Sequence, residues 1–106
     1  MNPRIDEEIS NFKALQGRYS GFGAEDSEPD YVFQLILARA IVGGPRPEED
    51  EIDWDLYENP GVEEAWIALT EQALRVFDRI LAEAGDSDRK AIRDLCWRLD
   101  ESEFEY

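Results

Sequence analysis

Histidine is absent from the 106 residues, which removes the commonest general base and the commonest metal ligand together. Ser-His-Asp and Cys-His nucleophiles and His-containing zinc sites are therefore excluded. Cysteine occurs once, at Cys96, so no disulfide can close within the chain and the usual zinc site cannot be built. Such usage suits a reducing compartment. Cys96 falls within a helical pattern where a small apolar side chain serves, and a buried thiol there would be inert. No stretch approaches the roughly 20 apolar residues of a membrane span. The opening segment, Met1 to Glu8, turns acidic at once, where a secretory signal would need an apolar run. No membrane contact and a cytoplasmic location are expected. A phosphate-binding glycine loop is also missing, because Gly21-Phe22-Gly23 leads into acids and not into a helix start that could receive an anion.

Positive charge is scarce as well. Eleven Lys and Arg face 26 Asp and Glu, for a net charge of -15. The excess is uneven: residues 1–64 hold 16 acids and five bases, residues 65–99 hold six of each, and residues 100–106 hold four acids and no base. Residues 48–64 alone carry nine acids without a single base. Like charges crowded together repel, so such a segment calls for an explanation beyond solubility. It repels nucleic acid and anionic membrane and attracts basic proteins, which makes direct DNA or RNA binding unexpected. Lysine-poor, acid-rich chains also arise in salt-adapted organisms, but that habit should spread acids over all exposed surface, and residues 65–99 are neutral.

What the chain has in plenty is apolar material, 42 % of residues with 11 % aromatic, enough for one folded domain spanning residues 1–106 and too much for a disordered chain. The periodicity is helical, and an all-α bundle of about four helices is expected. Asn2 caps the first helix, with Pro3 in its first position and the Ile5, Ile9, Phe12, Leu15 stripe ending near Gly17. Residues 17–30 read as a loop, with Ser27 and Asp30 in a capping arrangement and Pro29 early in the next helix. Tyr31 to Val42 reads as a central helix stopped by Gly43 and Gly44, with Pro45 and Pro47 beyond.

The third helix is expected to start from Asn59 as cap and Pro60. Val62, Ala65, Trp66, Leu69, Ala73, Val76, Phe77, Ile80 and Leu81 hold its period until Gly85. Asp86 or Ser87 should cap a fourth, with Ile92, Leu95, Cys96 and Leu99 inward. Its bases, Arg89, Lys90, Arg93 and Arg98, should pair with Asp86, Asp88 and Asp94. Residues 100–106 form an acidic tail expected to fray or to dock through Phe104 and Tyr106.

Between the second and third helices lies the most unusual stretch, Glu48 to Asn59. Ile52, Trp54 and Leu56 alternate with Asp53 and Asp55, so an extended backbone would turn apolar side chains one way and carboxylates the other. Trp54 reads equally well as a buried anchor of this loop and as an interface hot spot. Trp66 is expected in the core and Trp97 half exposed against the first helix or the tail. Asp53 and Asp55, with Asp50 or Glu58, could offer oxygen ligands to a hard cation, but Glu58 falls where a calcium loop needs glycine, and neither a metal nor a cofactor is expected.

The leading expectation is a non-enzymatic, stoichiometric inhibitor whose acidic loop covers a basic protein surface, that of a nuclease or another nucleic-acid enzyme. Glu48, Glu49, Asp50, Glu51, Asp53 and Asp55 would supply the charge, with Trp54 and Tyr57 as anchors. In size, acidity and lack of catalytic groups the chain resembles immunity proteins of nuclease toxins and phage inhibitors that mimic nucleic acid, including anti-CRISPR-like inhibitors. An adaptor using an apolar interface through Phe22, Trp97 or the tail is the alternative, and carboxylate cation binding ranks below both.

Overall fold

Four apolar stripes decide the architecture. The computed structural model, which describes residues 1–104, is all-α, with helices α1 (Pro3–Arg18), α2 (Ser27–Ile41), α3 (Val62–Glu83) and α4 (Asp86–Leu95). Short 3-10 turns occupy Ser20–Phe22, Glu49–Glu51 and Glu101–Phe104, and no strand occurs among the described residues. The expected bundle, with an acidic extended loop between helices two and three, is therefore present.

Twenty-two residues long, α3 spans about 33 Å at 1.5 Å per residue and is the spine on which α1 and α2 pack. Ala65, Leu69, Ala73, Val76, Phe77 and Ile80 form its buried stripe. From Leu69 onward they share one core cluster with Ile5, Ile9 and Phe12 of α1 and Phe33, Ile36 and Leu37 of α2. Phe12 and Phe33 stack with centroids 3.8 Å apart at the centre of this core. From α4, Ile92 and the adjoining Cys96 complete it.

The helix ends show where local chemistry was read correctly and where it was not. Asn2 does cap α1, its side-chain oxygen accepting the Arg4 N–H at 2.8 Å, with Pro3 at the first position. Helix α2 starts at Ser27 with Asp26 at its cap, one position before the Ser27 cap that was expected. Helix α3 starts later than Asn59 and Pro60 suggested. The Asn59 carbonyl accepts the Val62 N–H in a turn, and Gly61, at φ 91°, is the cap. That left-handed geometry suits glycine and ends the turn before the helix can begin. Gly85, not Asp86 or Ser87, caps α4.

Corrections also fall on the inward faces. Leu81 and Leu95 are exposed, and Trp66 is only partly buried. Trp97 is 76 % exposed, because α4 stops at Leu95 and Cys96 leaves helical geometry at ψ 48°. The chain then turns, and the Leu99 N–H bonds the Cys96 carbonyl.

The basic residues of this region find other partners than their helical neighbours. The Arg89 guanidinium donates to the Ile41 carbonyl at the end of α2 at 2.6 Å. Arg93 pairs with Glu101 at 3.0 Å and lies 4.3 Å from the Phe104 ring centroid, and the Arg98 guanidinium donates to the Ser27 carbonyl. Asp88 instead accepts the Gly85 and Asn2 N–H groups, joining α4 to the start of α1. Buried Gln34, which interrupts the apolar run of α2, accepts the Arg98 N–H at 3.0 Å and donates to Asp30. The tail through Phe104 packs as a turn against α2, with Phe104 partly buried; the docking expected of Tyr106 lies outside the described residues.

Candidate functional site: an acidic loop seated on helix three

The loop after α2 is tied to the body by alternate residues. Gly43, at φ 73°, breaks α2, and Pro47 is buried where the chain turns back. From there Ile52 and Trp54 are buried and Leu56 is partly so, while Asp53 and Asp55 are exposed. This is the alternation that the sequence implied. Trp54 is fully buried, 5.5 Å from Phe12 between ring centroids. Its indole N–H donates to the Thr70 hydroxyl of α3 at 2.9 Å. Of its two possible roles it takes that of anchor, and it is removed from the surface a partner could touch.

Tyr57 is 57 % exposed and latches the far end of the loop. Its hydroxyl donates to the Asp26 carboxylate, and its N–H donates to the Phe22 carbonyl at 2.9 Å. That hydrogen bond to a carboxylate raises the Tyr57 pKa above its ordinary value, because losing the proton would set two anions together. Close by, Gly23 sits at φ 90°, a left-handed conformation that suits glycine, and brings the backbone beside the Tyr57 ring.

Glu48, Glu49, Asp50, Glu51, Asp53 and Asp55 are all exposed. Glu51 pairs with Arg39 at 3.6 Å. Among the described residues the other five make no ion pair. Asp53 and Asp55 also shape the backbone: Asp55 sits at φ 52°, and its N–H is held by the Asp53 carboxylate at 2.9 Å. Left-handed geometry is tolerated by Asp through such local bonding and disfavours other side chains. Charge reversal at these two positions would therefore strain the turn, and Glu49, Asp50, Glu63 and Glu64 are cleaner probes of charge.

The helix continues the acidic surface, a contribution the charge count of residues 48–64 indicated in part through Glu63 and Glu64. One shallow groove, of about 290 Å³, is lined by Glu49 and Asp50 of the loop with Trp66, Ile67, Thr70 and Glu71 of α3. A second, more open groove shares Ile67 and Glu71 and adds Glu63 and Glu64. Loop and helix thus form one connected acidic face. Sequence reasoning missed Ile67 and Glu71. The signal available was their offset from the inner stripe of α3: Glu63, Ile67 and Glu71 recur every fourth residue on the outer side.

Among the described residues no three carboxylates or thiols are grouped to hold a metal ion. Cys96 is buried, its thiol pushed up to about 11 by desolvation, and its Sγ lies 3.6 Å from the Gln34 carbonyl. It is a core side chain and not a poised nucleophile. None of the described helices is long and apolar enough to cross a membrane. No family model matches the chain, and no curated protein or solved structure matches it.

Proposed function

We propose that this protein is a stoichiometric, non-enzymatic inhibitor that binds the basic surface of an enzyme acting on nucleic acid, as toxin immunity proteins and phage inhibitors do, and that it works in the cytoplasm. The observation that carries the reading is the connected face of Glu49, Asp50, Glu63, Glu64 and Glu71, carboxylates that make no ion pair among the described residues. Charges kept unpaired oppose folding through mutual repulsion, so their retention on one face favours a role in recognition. Anchoring through Trp54 and Thr70 holds the loop acids in place before any encounter. A preorganised field of this sign speeds association with a cationic target and rejects anionic competitors.

The test is capture of partners with tagged protein at low and near-physiological salt, followed by an activity assay of whatever basic enzyme is retained. Retention of a nuclease or nucleic-acid enzyme, inhibited at one-to-one stoichiometry, is the expected result. Capture of a neutral protein, insensitive to salt and to the Asp50→Lys/Glu64→Lys double variant, would overturn it. That outcome would favour the second reading, an adaptor with an apolar interface, for which the exposed Trp97 and Leu95 at the end of α4 are the specific observation.

A further inference from the structure

The acidic face has an apolar centre. Ile67 is 49 % exposed on the outer side of α3, with Glu63 one turn before it and Glu71 one turn after. It lines both shallow grooves and so stands as a ridge between them. Single exposed isoleucines are commonplace; what sets this one apart is its setting. Glu49, Asp50, Glu63, Glu64 and Glu71 line the two grooves beside it, and none of these carboxylates is ion-paired among the described residues. Counter-charge stands at the edges of the face: Arg46 feels the charge of Glu49, and the Arg18 guanidinium lies 5.7 Å from the ring of Tyr19, which lines the second groove. The ridge is also firmly founded. Ala65, Leu69 and Thr70 on the adjoining faces of α3 are buried, and the Thr70 hydroxyl is held by Trp54.

We propose that this ridge receives a basic peptide segment of a partner protein. The segment packs aliphatic or aromatic side chains beside Ile67 and Trp66 and sets Lys or Arg on either side, against Glu49 and Asp50 in one groove and Glu63 and Glu64 in the other. Rim carboxylates steer and orient, while the apolar contact, ringed by charge that water leaves on binding, decides which cationic surface stays bound. A bare cation would gain nothing from Ile67, and a nucleic acid would be repelled. The inference rests on the acidic-face reading and deepens it by naming the partner's chemistry.

Two short lysine-rich peptides of equal charge test it, one with central leucines and the other with serines in their place. Each is titrated into the intact protein at near-physiological salt and followed through backbone amide shifts. The leucine peptide is expected to bind roughly tenfold more tightly, with shifts centred on Trp66 to Glu71. Ile67→Ser should abolish that difference and leave the serine peptide's affinity unchanged, and because Ile67 lies outside the core the variant should keep its fold. Equal affinities, or shifts confined to residues 48–55, would overturn the inference and leave the acidic-face reading intact. Failure of both peptides to bind even at low salt would overturn that reading and the inference with it.

Discussion

Two regions of the molecule handle charge in opposite ways. Around α4 and the second half of α3, charged side chains brace the structure: Arg46 pairs with Asp78 at 2.9 Å, Arg79 with Glu83 at 2.6 Å, and Arg4 reaches the same Glu83. Arg89 and Arg98 secure main-chain carbonyls of α2. Around the loop and the first half of α3, Glu51 is the one carboxylate ion-paired among the described residues, and what holds that region is apolar burial, the Trp54 indole-to-Thr70 bond and the Tyr57 latch to Asp26 and Phe22. Charge is structural on one side and surplus on the other. The surplus is thus the part of the sequence that folding does not explain.

The largest effect expected from breaking this contrast is at the anchor. Trp54→Ala should destabilise the protein by about 3–5 kcal/mol, the range for truncating a large buried aromatic, as read by denaturant unfolding. Thr70→Val keeps the packing but strands the indole N–H, at a cost of about 1–3 kcal/mol. A loss at Trp54 no greater than a surface substitution would mean the acidic loop is not seated as described.

On the balanced side, Arg89→Met should cost about 1–2 kcal/mol by leaving the Ile41 carbonyl without its charged donor. Asp88 gives that side a pH dependence. The Gly85 and Asn2 N–H groups hold its carboxyl below the ordinary value. A depressed folded pKa contributes stability that is complete above the ordinary carboxylate range and is lost as pH falls through the folded value. Asp88→Asn should therefore flatten the acid limb of a stability-against-pH curve measured beside the parent.

The smallest effect sharpens the comparison most. Asp50→Lys/Glu64→Lys should raise stability by about 0.5 kcal/mol at low salt, by relieving repulsion, and the gain should fade as salt is added. Asp94→Lys/Asp100→Lys, an equal change in net charge at the end of α4 and the turn after it, away from the acidic face, should give no such gain.

How much of this was legible in the sequence depended on how local the cause was. The Asn2 cap with Pro3 at the first position, the α3 stripe and the Ile52, Trp54, Leu56 alternation are set by nearest neighbours and periodicity, and all three were readable. Where a residue's fate depends on something distant, the reading failed. Asp26 stands at a helix cap but accepts from Tyr57, 31 residues away. Arg89 and Arg98 have acids at helical spacing but bond to α2, and Trp97 is exposed because α4 ends two residues before it. The Trp54 ambiguity needed Thr70 and Phe12 to resolve, and no spacing rule links those three positions. Ile67 and Glu71 were hidden because an outward position on an amphipathic helix is unremarkable until the loop is seen to lie beside it.

The central claim is that the surplus carboxylates recognise a basic protein. Calorimetric titration of the captured partner against the parent chain, Asp50→Lys/Glu64→Lys and Asp94→Lys/Asp100→Lys tests it most directly, since the two variants change net charge equally and differ only in place. The account predicts that the first variant loses roughly a hundredfold in affinity, about 2.7 kcal/mol, while the second stays within about twofold of the parent. Equal losses in the two variants, or none in the first, would show that net charge or another surface governs binding and would contradict it.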